Sequence, residues 1–414
     1  MIERYVSSTA VLRHLRCSPL CAHVEGFAEL LFKQGYALTT ATTKLLLLSE
    51  LSQWIERRSL AIEDLDECRL NTFLGYRKKK NKFQRGDSAT VRQFLGFLTD
   101  AGIVPASVSE IEDSPIQRIE TRFAQYLSQE RGLSPATLAN YLPTCHWFLT
   151  ERFRDTRVAF RELCPHDISS FILRHAHAVS TRRVQLLASA LRSFFRFLYK
   201  ETETSTNLAS AVPTVKRWRF TGLPKFLQPE EVQRLLHSCD QSTAIGKRDY
   251  AILLLLARLG LRAGEIVHMS LDDIHWEAGE LVVRGKSSRE ERLPMAQDVG
   301  EALAVYLRGS RPRCSSRRVF MRMKAPREGF SGSAAVCDIV RRALSRAGIN
   351  PSFKGAHLLR HTLATTMLRD GASFTEIGEI LRHQLPNTTE IYAKVDLAAL
   401  RSIAQPWPEE EALP

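Results

Sequence analysis

Residues 249–295 read DYAILLLLARLGLRAGEIVHMSLDDIHWEAGELVVRGKSSREERLPM, and the change of pattern within them decides the fold class. From Asp249 to Leu261 apolar residues fill most positions, as in a helix buried on nearly all sides. Ile274–Trp276, Leu281–Arg284 and Arg292–Met295 are short strand-like runs separated by Glu277-Ala278-Gly279-Glu280 and Gly285-Lys286-Ser287-Ser288, which have turn chemistry. Strands this close in sequence pair antiparallel. Upstream, Gln228-Pro229-Glu230-Glu231 places proline and two carboxylates where a first helical turn favours them. Helical patterns return from Ser333 to the end, so this half is expected to be a mixed domain, mostly helical with one small antiparallel sheet.

The half before it reads as helices only, and the same unit is expected twice. Gly35–Ile55 and Gly132–Leu149 each place a turn, then Thr, then an apolar stripe ending in an aromatic, with Thr43, Leu47 and Trp54 matching Thr137, Tyr141 and Phe148. Leu65 and Phe73 match Leu163 and Phe171, and Val91–Leu98 matches Leu191–Leu198, Arg92 falling on Arg192. Pro105–Pro115 has the Pro, Ser and acidic composition of a linker. A second boundary is expected after the polar run Glu201–Asn207, where Pro213 and Pro224 bracket Val215-Lys216-Arg217-Trp218-Arg219-Phe220. The expected domains are therefore residues 1–110, a possible duplicate of the next helical domain at 115–205, a basic linker at 206–228, a mixed domain at 229–405 and an acidic tail at 406–414.

The whole chain has 414 residues with 44% hydrophobic content, which suits two or three ordered domains. Lys and Arg number 58 against 45 Asp and Glu, a formal charge of +13 that favours a polyanionic partner, nucleic acid or an anionic membrane surface. No apolar run approaches the ~20 residues of a membrane span, and the N-terminus lacks the apolar core of a secretory signal. With its eight cysteines scattered and no CxxC pair, the chain is expected to keep reduced thiols and to work in the cytoplasm. Basic clusters recur at Arg77-Lys78-Lys79-Lys80-Asn81-Lys82, at Arg182 and Arg183, at Lys216, Arg217 and Arg219, and at Arg311–Arg318, the last read as a solvated face. Their spread fits wrapping of a phosphate backbone better than contact with a membrane through one face.

Candidate chemistry lies between Leu259 and Tyr392. Arg262 follows the buried helix after a glycine turn, where a guanidinium is preorganised for phosphate or for pairing with Glu265. Lys286 sits in the hairpin turn, a place that suits either solvent or delivery of a cation into a groove. His357 and Arg360, three apart, share one face of a helix. Leu381-Arg382-His383 ends the next helix, and Tyr392 follows the turn at Pro386–Thr389; by itself it reads equally as a packed core residue. His357 and His361 lack the intervening glutamate of a zinc-protease helix, so no metal is expected. Cations, histidines and a tyrosine form a coherent set around a phosphodiester, with fixed donors balancing transition-state charge and a tyrosine hydroxyl able to attack phosphorus.

These motifs in this order (GLRAGEI, the hairpin lysine, HLLRHTLAT and LRHQLPNTTEIY) resemble the tyrosine recombinases of the phage integrase type, over roughly Ile116–Ile403. The resemblance implies all-helical SAM-like domains followed by a mixed α+β catalytic domain. It implies that Tyr392 is the nucleophile taking the 3′-phosphate, that Arg262 and Arg360 clamp the non-bridging oxygens, and that Lys286 is the general acid for the departing 5′-hydroxyl. His357 would assist proton transfer at the tyrosine, His383 would bond the scissile phosphate and Glu265 would support Arg262. Neither ATP nor a metal or other cofactor is implied. The implied partner is double-stranded DNA of a mobile element or chromosomal site, gripped by four protomers on two sites. Other recombinases or DNA-bending proteins are candidate helpers, and Val395–Ala404 would pack on a neighbour. Two features depart from the family: Arg382 stands where glycine usually precedes the histidine, and the N-terminal extension looks like a second core-binding fold instead of a small arm-binding domain. That extension is expected to add DNA contact through Arg77–Lys82 or to serve as a protein-contact module. A non-catalytic accessory DNA-binding protein and a type IB-like topoisomerase are the rival readings.

Overall fold

The structure, a computed structural model, describes residues 2–5, 12–13, 15, 19–105, 114–154, 157–215, 225–285, 290–383, 385 and 388–395. The described residues of Met1–Val104 and Phe220–Pro414 form one compact unit and those of Pro105–Arg219 a second.

After a 3-10 turn at Ile2–Arg4, the helices of the first part described from Cys21 on are α1 (Cys21–Lys33), α2 (Leu38–Glu56), α3 (Glu67–Lys79) and α4 (Asp87–Asp100). Asp66 starts α3 by accepting a hydrogen bond from the Arg69 amide at 2.6 Å. Their core is a set of rings on successive helices. Phe27 meets Phe94 edge-on at 5.2 Å and Phe97 at 5.7 Å, while Trp54 meets Phe73 at 5.7 Å.

The second unit repeats this arrangement with α5 (Pro115–Gln125), α6 (Pro135–Arg152), α7 (Pro165–Ala176) and α8 (Thr181–Lys200). Phe123 meets Phe194 edge-on at 5.1 Å and Phe197 at 5.2 Å, and Phe148 meets Phe171 at 5.3 Å. Phe27 and Phe123 thus take the same place in the two sets, within Phe27-Ala28-Glu29-Leu30-Leu31 and Phe123-Ala124-Gln125-Tyr126-Leu127, a match the sequence reading did not include. The expected linker at 206–228 needs correction. Leu208, Ala209 and Val212 are buried in the second helical core, and Arg192 donates to the Val212 carbonyl at 3.3 Å. The polar run before them is a tight reversal, with Thr202 left-handed at φ 57° and Thr204 bonded to the Thr206 carbonyl at 3.1 Å. Polar composition marked a turn folded back on α8 rather than an exit from the domain.

In the mixed part, α9 (Pro229–His237) starts where expected, the Glu231 carboxylate accepting from the Gln228 amide at 2.9 Å. α10 (Ala244–Arg258) is the buried helix, with Ala251–Leu256 all inside. After α11 (Ala263–His268) come β1 (Ile274–His275), β2 (Glu280–Arg284) and β3 (Glu290–Pro294), an antiparallel sheet in the order β1-β2-β3 with Leu281 opposite both Ile274 and Leu293. Trp276 lies beyond β1 and is exposed. The helices α12 (Gln297–Gly309), α13 (Ser333–Arg346), α14 (Ala356–Arg369) and α15 (Phe374–Ile380) follow, then a 3-10 turn at Glu390–Val395. Among the described residues no helix is long and apolar enough to cross a membrane.

Candidate active site

α10 has to end before the chain can present Arg262. Gly260 turns it at φ 57°, and a Cβ there would come within 2.7 Å of Leu381 and 3.0 Å of Leu363, so the turn is both left-handed and tightly packed. The Gly260 carbonyl is thereby aimed at Arg360, which rises from the first turn of α14 and donates to it and to the Leu381 carbonyl. Arg360 is 4% exposed, and both of these acceptors are neutral. Burial, with Arg262 and Arg382 alongside, lowers its pKa to about 10, so it stays a cation at neutral pH.

Arg262 precedes α11 and is held by Glu265. The carboxylate accepts from the Arg262 amide at 2.7 Å and from its guanidinium at 2.7 Å, while the other guanidinium nitrogen donates to the Arg382 carbonyl at 3.1 Å. Arg382 completes the cluster. Its side chain is inside, donating to Glu265 at 2.8 Å, and its Nε lies 3.7 Å from Glu291 on β3 without a hydrogen-bond partner of its own. Its backbone is left-handed at φ 55°, the conformation that makes glycine usual there. Sequence reading treated Arg382 only as a disturbance to the turn, since nothing in its spacing points to Glu265, 117 residues away.

The tyrosine and histidines lie in the same electrostatic neighbourhood. Tyr392 is 1% exposed, and its hydroxyl is hydrogen-bonded to His361 Nδ1 at 2.8 Å. The structure adds a second candidate histidine beside His357. His361, one turn further along α14, is the ring next to the tyrosine, whereas His357 is on the exposed side with its ring 6.4 Å from that of His361. The i, i+4 spacing that places both rings on one face was visible in HLLRHT, and of the two the buried ring is the one that contacts Tyr392. Burial, His357 and Arg360 lower His361 to about 4, so its ring is uncharged at neutral pH. His383, bonded through Nδ1 to Thr389 Oγ1 at 2.8 Å, is lowered to about 4 by burial and then by Arg360, Arg262, His361 and Arg382. Burial, opposed by Arg360, raises Tyr392 to about 12.

The site is therefore three guanidiniums beside two carboxylates, Glu265 bonded to Arg262 and Arg382 and Glu291 3.7 Å from Arg382, with two neutral imidazoles and a protonated phenol. Such a surplus of fixed positive charge suits a dianionic or polyanionic ligand. Among the described residues no group of three His, Cys, Asp or Glu side chains is placed to hold a metal.

Of the other expected site residues, Lys286, Lys216, Arg217 and Arg219 lie outside the described residues, as does most of Val395–Ala404. Lys78, Lys79, Lys80 and Lys82 are exposed. Arg182 and Arg183 are also exposed and line a groove of about 550 Å³ with Asn140, Tyr141 and Ser180. Arg77 is a correction: 5% exposed, it donates to Asp87 at 3.0 Å, to the Lys82 carbonyl at 2.7 Å and to Glu50, and is unavailable to DNA. Its place in a run of lysines hid the fact that it falls four residues after Phe73, on the inward face of α3.

Comparison with known proteins gives this cluster its context. The pattern of the phage integrase family matches residues 225–398, and that of the phage integrase N-terminal SAM-like domain matches residues 121–202. A provisionally named integrase/recombinase of Sinorhizobium fredii, y4rA, is 41% identical over 411 residues, covering 99% of this chain and 100% of its own. The tyrosine recombinase XerD of Listeria monocytogenes is 31% identical over 290 residues, covering 68% of this chain and 95% of its own. In fold, the XerH site-specific recombinase bound to a palindromic difH substrate matches with a TM-score of 0.56 at 19% identity, over 82% of this chain and 95% of that one. A lambda integrase dimer bound to a core site matches at 0.52 and 18% identity, over 72% and 99%. The chain belongs to the phage integrase family and is a tyrosine-type site-specific recombinase.

Proposed function

We propose that the chain cuts and rejoins duplex DNA of a mobile element through a 3′-phosphotyrosyl link on Tyr392. The observation that carries this reading is the convergence of Arg262, Arg360 and His383 on the carbonyl-lined turn at Leu381–Arg382, with Tyr392 in electrostatic contact with Arg360. When a phosphodiester enters, Arg262 and Arg360 exchange carbonyl oxygens for the non-bridging oxygens, which carry more charge and bind guanidinium more strongly. Tyr392 leaves its niche for the phosphorus, and a histidine, His361 or His357, takes the phenolic proton. The Tyr392 oxygen bonds to phosphorus as the bond to O5′ breaks, and Lys286 protonates the departing oxygen. A 5′-hydroxyl from a second strand reverses these steps. Four protomers on two DNA sites would supply the paired cuts.

Tyr392→Phe tests this on a nicked suicide duplex spanning a candidate element end. The wild-type chain is expected to form a covalent adduct and the variant none. A variant that still forms adduct sinks the role of Tyr392, and a wild type that forms none on any element end favours the accessory-protein reading. Relaxation of supercoiled DNA without strand exchange favours the topoisomerase.

A further inference from the structure

The family patterns begin at residue 121, so α1–α4 have no role assigned by them. We propose that this unit is a second duplex-DNA-binding module whose contact element is the loop at residues 78–86. The inference rests on the chain's substrate being duplex DNA, and it extends that grip beyond the core-binding and catalytic domains.

Three observations carry it. The first is the shared frame: Phe27, Trp54, Phe73, Phe94 and Phe97 repeat the ring contacts of Phe123, Phe148, Phe171, Phe194 and Phe197 in the unit that matches the SAM-like domain. In both frames exposed cations collect at the joint between the third and fourth helices: Arg182 and Arg183 in one, Lys78, Lys79, Lys80, Lys82 and Arg85 in the other. The second is charge. Residues 71–86 contain no Asp or Glu, and exposed Tyr76 and Phe83 lie among the cations, with Lys78 Nζ 5.0 Å from the Phe83 ring centre. An unbroken positive strip with aromatic rings is suited to a phosphodiester backbone, which accepts cations and packs sugars against rings.

The third is that the strip is built rather than loose. Arg77 is an internal peg. From beneath, it binds Asp87 at the start of α4, the Lys82 carbonyl in the loop and Glu50 on α2. Asp87 also accepts from the Gln84 amide at 2.9 Å, and Asn81 takes the left-handed turn at φ 53° that sends Lys82 back over Arg77, whose carbonyl accepts from its amide at 3.0 Å. A solvated run of lysines needs no such scaffold. Fixing the loop before binding lowers the entropy lost when its side chains engage a rigid duplex.

The test needs no knowledge of the recombination site. Affinity of the full chain for a random-sequence 40-base-pair duplex is measured across salt for wild type, for Lys79→Ala/Lys82→Ala, and for Arg57→Ala/Arg58→Ala. The last pair is also exposed and follows the C-terminal end of α2, in the connection that leads to the start of α3. Each phosphate contact contributes about 0.9 to the slope of log K against log salt, so the lysine pair is expected to lower the slope by nearly two and the arginine pair by little. Equal slopes for the two variants, or no change in either, overturn the proposal; an unchanged slope is what a protein-contact module predicts. Thermal melts of all three proteins verify that the substitutions leave the fold intact. Because no cleavage is read, a wild type that forms no phosphotyrosyl adduct defeats the proposed chemistry and leaves this result standing on its own.

Discussion

Arg77 and Arg360 are both arginines buried on a helix, and their surroundings set them apart. Arg77 is enclosed by the carboxylates of Asp87 and Glu50 and by one carbonyl, so its charge is fully answered within the fold. Among the described residues Arg360 bonds to the carbonyls of Gly260 and Leu381, with two further arginines beside it and Glu265 bonded to those two. An answered cation holds a structure together. An unanswered one is suited to a ligand that answers it; burial first, and the neighbouring cations after it, depress the pKa values of Arg360 and of the imidazoles beside it.

The contrast is most sharply tested by breaking each arginine in turn. Arg77→Met leaves Asp87 buried without its cation and should destabilise the chain by about 3–5 kcal/mol, read as a shift in the urea midpoint. Arg360→Lys keeps a charge but loses the planar fork, and should lower the rate of covalent adduct formation by roughly 10²–10³-fold with little loss of stability. If Arg360→Lys unfolds the chain while Arg77→Met does not, the distinction between the two sites is wrong.

Acid should act on the catalytic cluster through its two buried histidines. His361 and His383 are held at about 4, below their ordinary value of 6.5, so the unfolded chain binds more protons. Their neutral, buried forms contribute fully above about pH 6.5, and stability should fall as pH drops from there towards about 4. Urea midpoints at pH 7 and pH 5 measure this, and His383→Asn should flatten the dependence. Arg382→Gly has the smallest expected effect. It removes a buried guanidinium but relieves a left-handed backbone, so the change in stability should stay within about 1 kcal/mol. Glu265 keeps both bonds to Arg262, so adduct formation should fall less than tenfold; a larger loss would show that Arg382 helps to aim Arg262.

Residues close in sequence were the readily legible part. The apolar run of α10, the turn residues around β2, the Gln228–Glu231 helix start and the order of Arg262, Arg360, His383 and Tyr392 are local patterns whose physics acts over a few residues. The sequence comparison of the two helical units left out their first helices, where Phe27 lies mid-way along α1 and Phe123 near the end of α5. Which of two histidines meets Tyr392, and whether Arg77 faces water, depend on which side of a helix is covered.

By itself, then, the sequence determined the kinds of element, the chemical inventory and the family, since these follow from composition and spacing along the chain. Tertiary structure alone decided that Arg382 joins Arg262 across Glu265, that His361 is the ring bonded to the tyrosine hydroxyl, and that Arg77 pins a loop it does not belong to on the surface. Each of those outcomes turns on a contact between residues on different elements, where burial removes water as a competing partner and leaves the charge or hydrogen bond with the neighbour the fold supplies.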